Sequence, residues 1–225
     1  MNSSMALFDF DGTLCSGHIW EGFLKYYLVH KKKRAWILAF WATHLPLWLL
    51  GECRIISKEK YRAKWVEDLG GIYKGASQDA VREMFHWVCG NYIFNSLRDD
   101  LVGILNEHKR SGRIVLIVSA TFHELLEIVG QELGVTSVVG TRAEVIDGIY
   151  TGKIIKPVCF GKNKVTLVEQ FISQNRLEID LASSFAYADS VSDIPLLELV
   201  GNPVATYPDK DLRQFAERNN WQILC

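Results

Sequence analysis

The chain predicts an α/β fold, a doubly wound and mainly parallel sheet with a helical cap inserted after its first strand. Three observations carry this. Apolar runs of strand length, such as Met5–Phe8 and Arg113–Ser119, are too continuous for a sheet with one wet face. From Leu97 onward such runs alternate with segments of helical period. Between them, Cys15 to about Asn95 reads as mainly helical and holds six of the seven tryptophans. Residues 1–15 and 96–225 are therefore expected to form a Rossmann-like core, and 16–95 the cap.

Taken in order, Met5–Phe8 is the first buried strand and Gly12 lets the chain leave it sharply. Ile19–Val29 is a helix, followed by the basic run Lys31–Arg34. Ala35–Leu50 is nearly all apolar, and Pro46 is expected to kink or end it. At about 16 residues this segment is shorter than the roughly 20 a membrane span needs. Two readings stay open: a buried cap helix, or a segment lying in a membrane interface with the basic run at the headgroups. Ser57–Leu69 and Ser77–Cys89 are further helices, separated at Gly70-Gly71.

In the core, Leu101–Lys109 is a helix and Arg113–Ser119 a buried strand. Thr121 and Glu124 have capping-box spacing and open a helix that stops at Gly134. Ser137–Gly140 is a short strand, and Arg142–Asp147 with Ile149–Ile155 a hairpin turning at Asp147-Gly148. Lys162–Ser173 is a helix, Ser184–Ala188 a strand, Pro195–Val200 a helix, Val204–Thr206 a strand and Trp221–Leu224 an edge strand.

Composition narrows the function. A formal net charge of −1 without a like-charge tail gives no footprint for nucleic acid. Five scattered cysteines without a C-x-x-C suit a reducing cytosol better than a disulfide scaffold or zinc site. No secretory signal core precedes Asp9, so a cytoplasmic location is expected.

Polar residues then gather at the ends of the predicted strands. If the first strand persists to Asp11, Asp9 and Asp11 point to one side, about 6–7 Å apart, and repel unless a cation intervenes. Ser119, Ala120 and Thr121 lie at a strand-to-helix switch, where backbone N–H groups and a hydroxyl make an anion site. Lys164 stands in the first turn of its helix, against the macrodipole, with Lys162 as competitor for the same role. Asp189 and Asp193, with Ser190 and Ser192 between them, end another buried strand. Converging carboxylates with all-oxygen ligands select a hard cation, most simply Mg²⁺. With a lysine and a hydroxyl they describe a site for a phosphate dianion.

Asp9-Phe10-Asp11-Gly12-Thr13-Leu14, Val118-Ser119-Ala120, Lys164 and Asp189-Ser190-Val191-Ser192-Asp193 together resemble the four ordered motifs of the haloacid dehalogenase (HAD) superfamily. The helical insert after the first motif and the D-S-x-S-D form of the last resemble its phosphoserine-phosphatase-like branch, subfamily IB. The resemblance implies a phosphatase with Asp9 as nucleophile, forming an aspartyl-phosphate, and Asp11 as general acid and base. It implies metal ligation by Asp9, Asp189 and the main-chain carbonyl of Asp11, with Asp193 in support. Ser119, Ala120, Lys164 and Ser192 would surround the phosphoryl group, and Thr13 would orient the first loop. Ala188 stands where the family more often has glycine, a small change. His18 occupies the position nine residues after the nucleophile where phosphoserine phosphatases carry a glutamate for the substrate's amine, and Glu21 lies one helical turn on. That departure argues against phosphoserine.

The expected function is therefore a Mg²⁺-dependent phosphomonoesterase. Its substrate is a phosphorylated small molecule or, favoured by the tryptophan-rich cap, a phosphorylated lipid headgroup, with peripheral membrane contact through the cap. In a different class, a receiver-like phospho-acceptor switch shares the aspartate, hydroxyl and lysine. It needs neither Asp11 nor a cap.

Overall fold

The computed structural model describes residues 3–53, 55–56 and 58–225. Its centre is β1 (Met5–Phe8), whose side chains alternate between two hydrophobic cores. Ala6 and Phe8 join one, Met5 and Leu7 the other. β1 pairs in parallel with β2 (Ile114–Phe122) on one side and β5 (Phe185–Ala188) on the other. Outward from β2 lie β3 (Ser137–Ile146) and β4 (Ile149–Ile155); outward from β5 lie β6 (Asn202–Thr206) and β7 (Gln222–Leu224). Every pairing is parallel except β3 with β4. The sheet thus winds away from β1 in both directions, and the crevice beyond the carboxyl end of β1 is where such sheets bind ligands.

Two helices of the core, α5 (Asp99–Arg110) and α6 (His123–Leu133), cover the Phe8 face through Leu101, Leu105, Leu125 and Val129. α7 (Lys162–Gln174), α8 (Ile194–Glu198) and α9 (Lys210–Arg218) cover the Leu7 face through Val168, Leu196, Leu212 and Ala216. The helical insert comprises α1 (Ile19–Val29), α2 (Arg34–Glu52), α3 (Lys58–Leu69) and α4 (Gln78–Val88), with a 3-10 turn at Gly70–Tyr73. Cys15 and Leu97 pair as an isolated antiparallel bridge, so the insert leaves and rejoins the core at one place. Phe23, Ile72, Tyr73 and Phe85 of the insert share the Phe8-side core, which is continuous from sheet to insert.

Several expectations are corrected. β1 ends at Phe8, so Asp9 and Asp11 stand on the loop after it and not on alternating strand positions. β2 runs on to Phe122, and α6 starts at His123 with no side-chain cap. Thr121 and Glu124 therefore do not form a capping box, because the strand claims Thr121. The short strand and the first arm of the hairpin are one strand, β3, which serves β2 with one end and β4 with the other. α2 passes through Pro46, which lies on its exposed side, where the unpaired carbonyl it leaves can meet water. α9 was not among the expected elements, although Asp209 caps it by accepting from the Leu212 N–H at 2.8 Å. Ser57, the expected first residue of α3, lies outside the described residues.

Candidate active site

The loop after β1 is shaped by short main-chain bonds. Asp9 N–H donates to the Tyr187 carbonyl at 2.9 Å, and Gly12 and Cys15 close a turn through Gly12 N–H to Cys15 O at 2.8 Å. Gly12 has φ +85°, and a Cβ there would lie 2.2 Å from an Asp189 carboxylate oxygen, so both conformation and space require glycine. Asp11 is held at both oxygens. The Ile19 N–H, first of α1, donates to Oδ1 at 2.7 Å, and the Thr121 hydroxyl donates to Oδ2 at 2.8 Å. Burial raises the Asp11 pKa, against these two donors.

Lys164, buried in the first turn of α7, reaches Asp9 Oδ1 at 2.7 Å and Asp193 Oδ1 at 2.6 Å. Burial opposes its charge, but Asp193 and Asp9 more than offset this and its pKa is raised. Lys162 is exposed and stands outside the cavity. Asp9, Asp189 and Asp193 bring oxygens within 4.8 Å of one another. Burial and the neighbouring Asp9 and Asp193 carboxylates push Asp189 up to about 8. Asp193 is pushed up to about 6 by burial, with Lys164 pulling the other way. Three carboxylates thus face one ammonium. Thr13 is buried behind them, donating to Asp189 Oδ1 at 3.1 Å. It holds a carboxylate in place and does not line the cavity. The end of β2, where its register with β3 shifts between Val118 and Phe122, is braced by the Thr141 hydroxyl, which donates to the Ala120 carbonyl at 2.7 Å.

A model of haloacid dehalogenase-like hydrolases matches residues 6–198. The chain belongs to that family. Phosphoserine phosphatase SerB1 of Mycobacterium tuberculosis is 28% identical over 98% of the chain and 70% of its own length. A histidinol-phosphatase of Neisseria meningitidis is 28% identical over 66% of the chain and 68% of its own. A protein of unknown function from Bordetella pertussis Tohama I superposes over 100% of this chain and 99% of its own with TM-score 0.84 and 26% identity. Within the HAD family the chain is a phosphatase of the phosphoserine-phosphatase-like branch.

Membership in the HAD family implies a divalent metal, and the donors fit one. The three clustered carboxylates are hard oxygen ligands, and the one ammonium among them, Lys164, pairs with Asp9 and Asp193. The Asp11 carboxylate is outside this cluster, both oxygens being engaged elsewhere. Above the cluster opens a cavity of about 690 Å³, bordered at its floor by Asp9, Asp11, Ser119, Ala120, Lys164 and Ser192, with His18 at its side. Its far wall is aromatic: Trp20, Trp41 and Trp65 meet edge to face, with centroids 5.5 to 6.3 Å apart, and Trp48 and Tyr61 continue the wall. Arg62 of α3 lines the same cavity and donates to Ser190 Oγ at 3.1 Å, tying insert to core. Sequence reasoning missed Arg62 and this wall, and it gave Thr121 a capping and anion-site role in place of its bond to Asp11. The tryptophans were visible as a composition, but helix-to-helix packing decides which of them face the site.

Proposed function

We propose that the chain is a Mg²⁺-dependent phosphomonoester hydrolase acting through an aspartyl-phosphate, on esters with an apolar leaving group, best matched by a phosphorylated lipid headgroup. The carrying observation is the single cavity that runs from the carboxylate cluster to a wall of Trp20, Trp41, Trp48, Trp65 and Tyr61. Asp9 attacks phosphorus, the ester P–O bond breaks, and Asp11 gives its proton to the leaving oxygen. Burial raises the Asp11 pKa and so favours the protonated form this step needs. Asp11 then takes a proton from water, which attacks the aspartyl-phosphate, releasing phosphate and freeing Asp9. Lys164 and the Ser119 hydroxyl hold the phosphoryl oxygens, joined by Ser192 and the end of β2 at Ala120. Asp9, Asp189 and Asp193 would hold the ion together with the Asp11 main-chain carbonyl, and its charge would neutralise the phosphoryl oxygens.

The relatives named for phosphoserine and histidinol phosphate favour a second reading, a small soluble ester. The side chains weigh against phosphoserine itself. His18 borders the cavity, whereas Glu21 receives a hydrogen bond from the Tyr92 hydroxyl and is outside the cavity lining. A screen of soluble phosphoesters against long-chain lipid phosphates in micelles separates the two. Higher kcat/KM on lipid phosphates is expected, and a clear preference for small polar esters would overturn the lipid reading.

A further inference from the structure

We propose that the outward face of α2, with the basic run ahead of it, is a docking surface for an anionic lipid bilayer. α2 is sided in an unusual way. Its inner face buries Ile37 and Phe40 against its neighbours, and His44, also buried, sets its Nε2 3.1 Å from Asp68 Oδ2 of α3. A surface helix normally turns polar residues outward. Here Leu38, Leu45 and Leu49 form the outward stripe, 72%, 47% and 51% exposed. Their spacing of seven and four residues keeps them on one side of the helix. From Ala35 to Gly51 there is no Asp, Glu, Lys or Arg. Both open readings of this segment therefore hold at once, each for one face.

Two further observations choose the occupant. Lys31, Lys32, Lys33 and Arg34 are all exposed at the head of the stripe, a charge pattern complementary to anionic headgroups. A second copy of the chain would bring the same basic run and no matching acidic one. Leu45 and Trp48 also line the cavity while remaining about half exposed, so the mouth of the site meets the apolar face. A lipid held in the bilayer could enter there. Among the described residues no helix is long and apolar enough to cross a membrane, so α2 would lie on the surface.

This inference rests on the proposed lipid substrate only for what enters the cavity; docking itself is measurable without turnover. Co-sedimentation would compare vesicles of phosphatidylcholine with vesicles containing phosphatidylglycerol, at low and high salt. The protein should bind the anionic vesicles and lose binding with salt. Replacing Lys31, Lys32 and Arg34 by Gln should weaken partition about five-fold each, on the order of a hundred-fold together. The pair Leu38→Glu and Leu49→Glu should abolish it. Neither variant touches the cavity lining, so hydrolysis of p-nitrophenyl phosphate should persist and report an intact fold. Binding no greater than that of an inert soluble protein would overturn the proposal. So would a dimer that the leucine variant dissociates, without vesicle binding, since a second copy would then cover the face. Vesicle binding without preference for lipid phosphates would sink the substrate reading and leave the docking surface standing.

Discussion

The two ends of the cavity are built from opposite materials. The core end is polar and over-determined. Lys164 bridges two carboxylates, Thr13 fixes a third, and Asp11 is held by donors from both β2 and α1. The insert end has few polar contacts and a wall of rings, with Arg62 as its cation. Such a division matches a reaction in which the phosphoryl group is common to every substrate and the leaving group is what varies. The core should then set whether turnover occurs, and the insert what is turned over. Each prediction below tests that separation.

Asp9→Asn should have the largest effect, lowering kcat by on the order of 10⁴-fold or more on every ester, since the amide is a poor nucleophile and weakens the cluster. Asp11→Asn should also fail, but with phosphorylated Asp9 accumulating, detectable by mass spectrometry. A chelator should remove activity and Mg²⁺ restore it. Substantial hydrolysis by purified Asp9→Asn protein would displace the nucleophile from Asp9 and end the argument for a dedicated core end.

Next is Thr121, among the described residues the one Asp11 donor supplied by a side chain. Thr121→Val keeps shape and removes the hydroxyl, leaving Asp11 tethered only to Ile19 N–H. Misplacing the acid should cost roughly 10- to 100-fold in kcat with KM little changed, equally for polar and apolar esters. Thr121→Ser should recover most of it. A loss that depended on the leaving group would move Thr121 into substrate selection and blur the division.

Much of the core end was legible because strand ends carry their chemistry in the chain itself. Apolar runs such as Met5–Phe8 and Ile114–Val118 break into Asp or Ser at the sheet's carboxyl edge, and a parallel sheet gathers those breaks in one crevice. Thr121 was misread since a hydroxyl before a helix looks the same whether it caps the helix or reaches an aspartate 110 residues away. Lys164 could be separated from Lys162 only by the turn of α7 that buries one and exposes the other. The insert was less legible for a related reason. In α2 almost every position is apolar, so no periodicity tells the face against α3 from the face in solvent, and only packing does.

A smaller effect is expected from the wall. Trp41→Ala or Trp65→Ala should reduce kcat/KM for long-chain phosphates roughly ten-fold. Esters of short polar alcohols should change little. Steady-state kinetics on the two substrate classes provide the measurement. Equal losses on both would mean that the rings support the fold of the insert and not its choice of substrate.

The smallest effect asks whether core and insert are one cooperative unit. His108 is buried beneath the sheet, its Nε2 2.8 Å from the Tyr187 hydroxyl, beside the rings of Phe8 and Phe185. Burial, with Arg113 nearby, lowers its pKa from the ordinary 6.5; Glu107 works weakly the other way. His123 is shifted in the same direction, by burial and Arg142 against Glu127. The unfolded chain therefore binds protons below about pH 6.5 that the folded chain refuses. Their contribution to stability is whole above that pH and declines as pH falls through the window below it. The raised carboxylates Asp11, Asp189 and Asp193 work the opposite way, so the histidine contribution is read as a difference: below pH 6.5 the melting temperature followed by circular dichroism should fall in the wild type relative to His108→Gln. Tryptophan fluorescence reports the other region, because six of the seven tryptophans lie between Trp20 and Trp87. One hydrophobic cluster runs from Phe8 through Phe122 to Phe23, Tyr73 and Phe85, so the two signals should shift together with pH. If fluorescence held its midpoint while circular dichroism moved, the insert would be melting as a unit of its own. The continuous cluster would then not be enough to couple the region that chooses the substrate to the region that reacts with it.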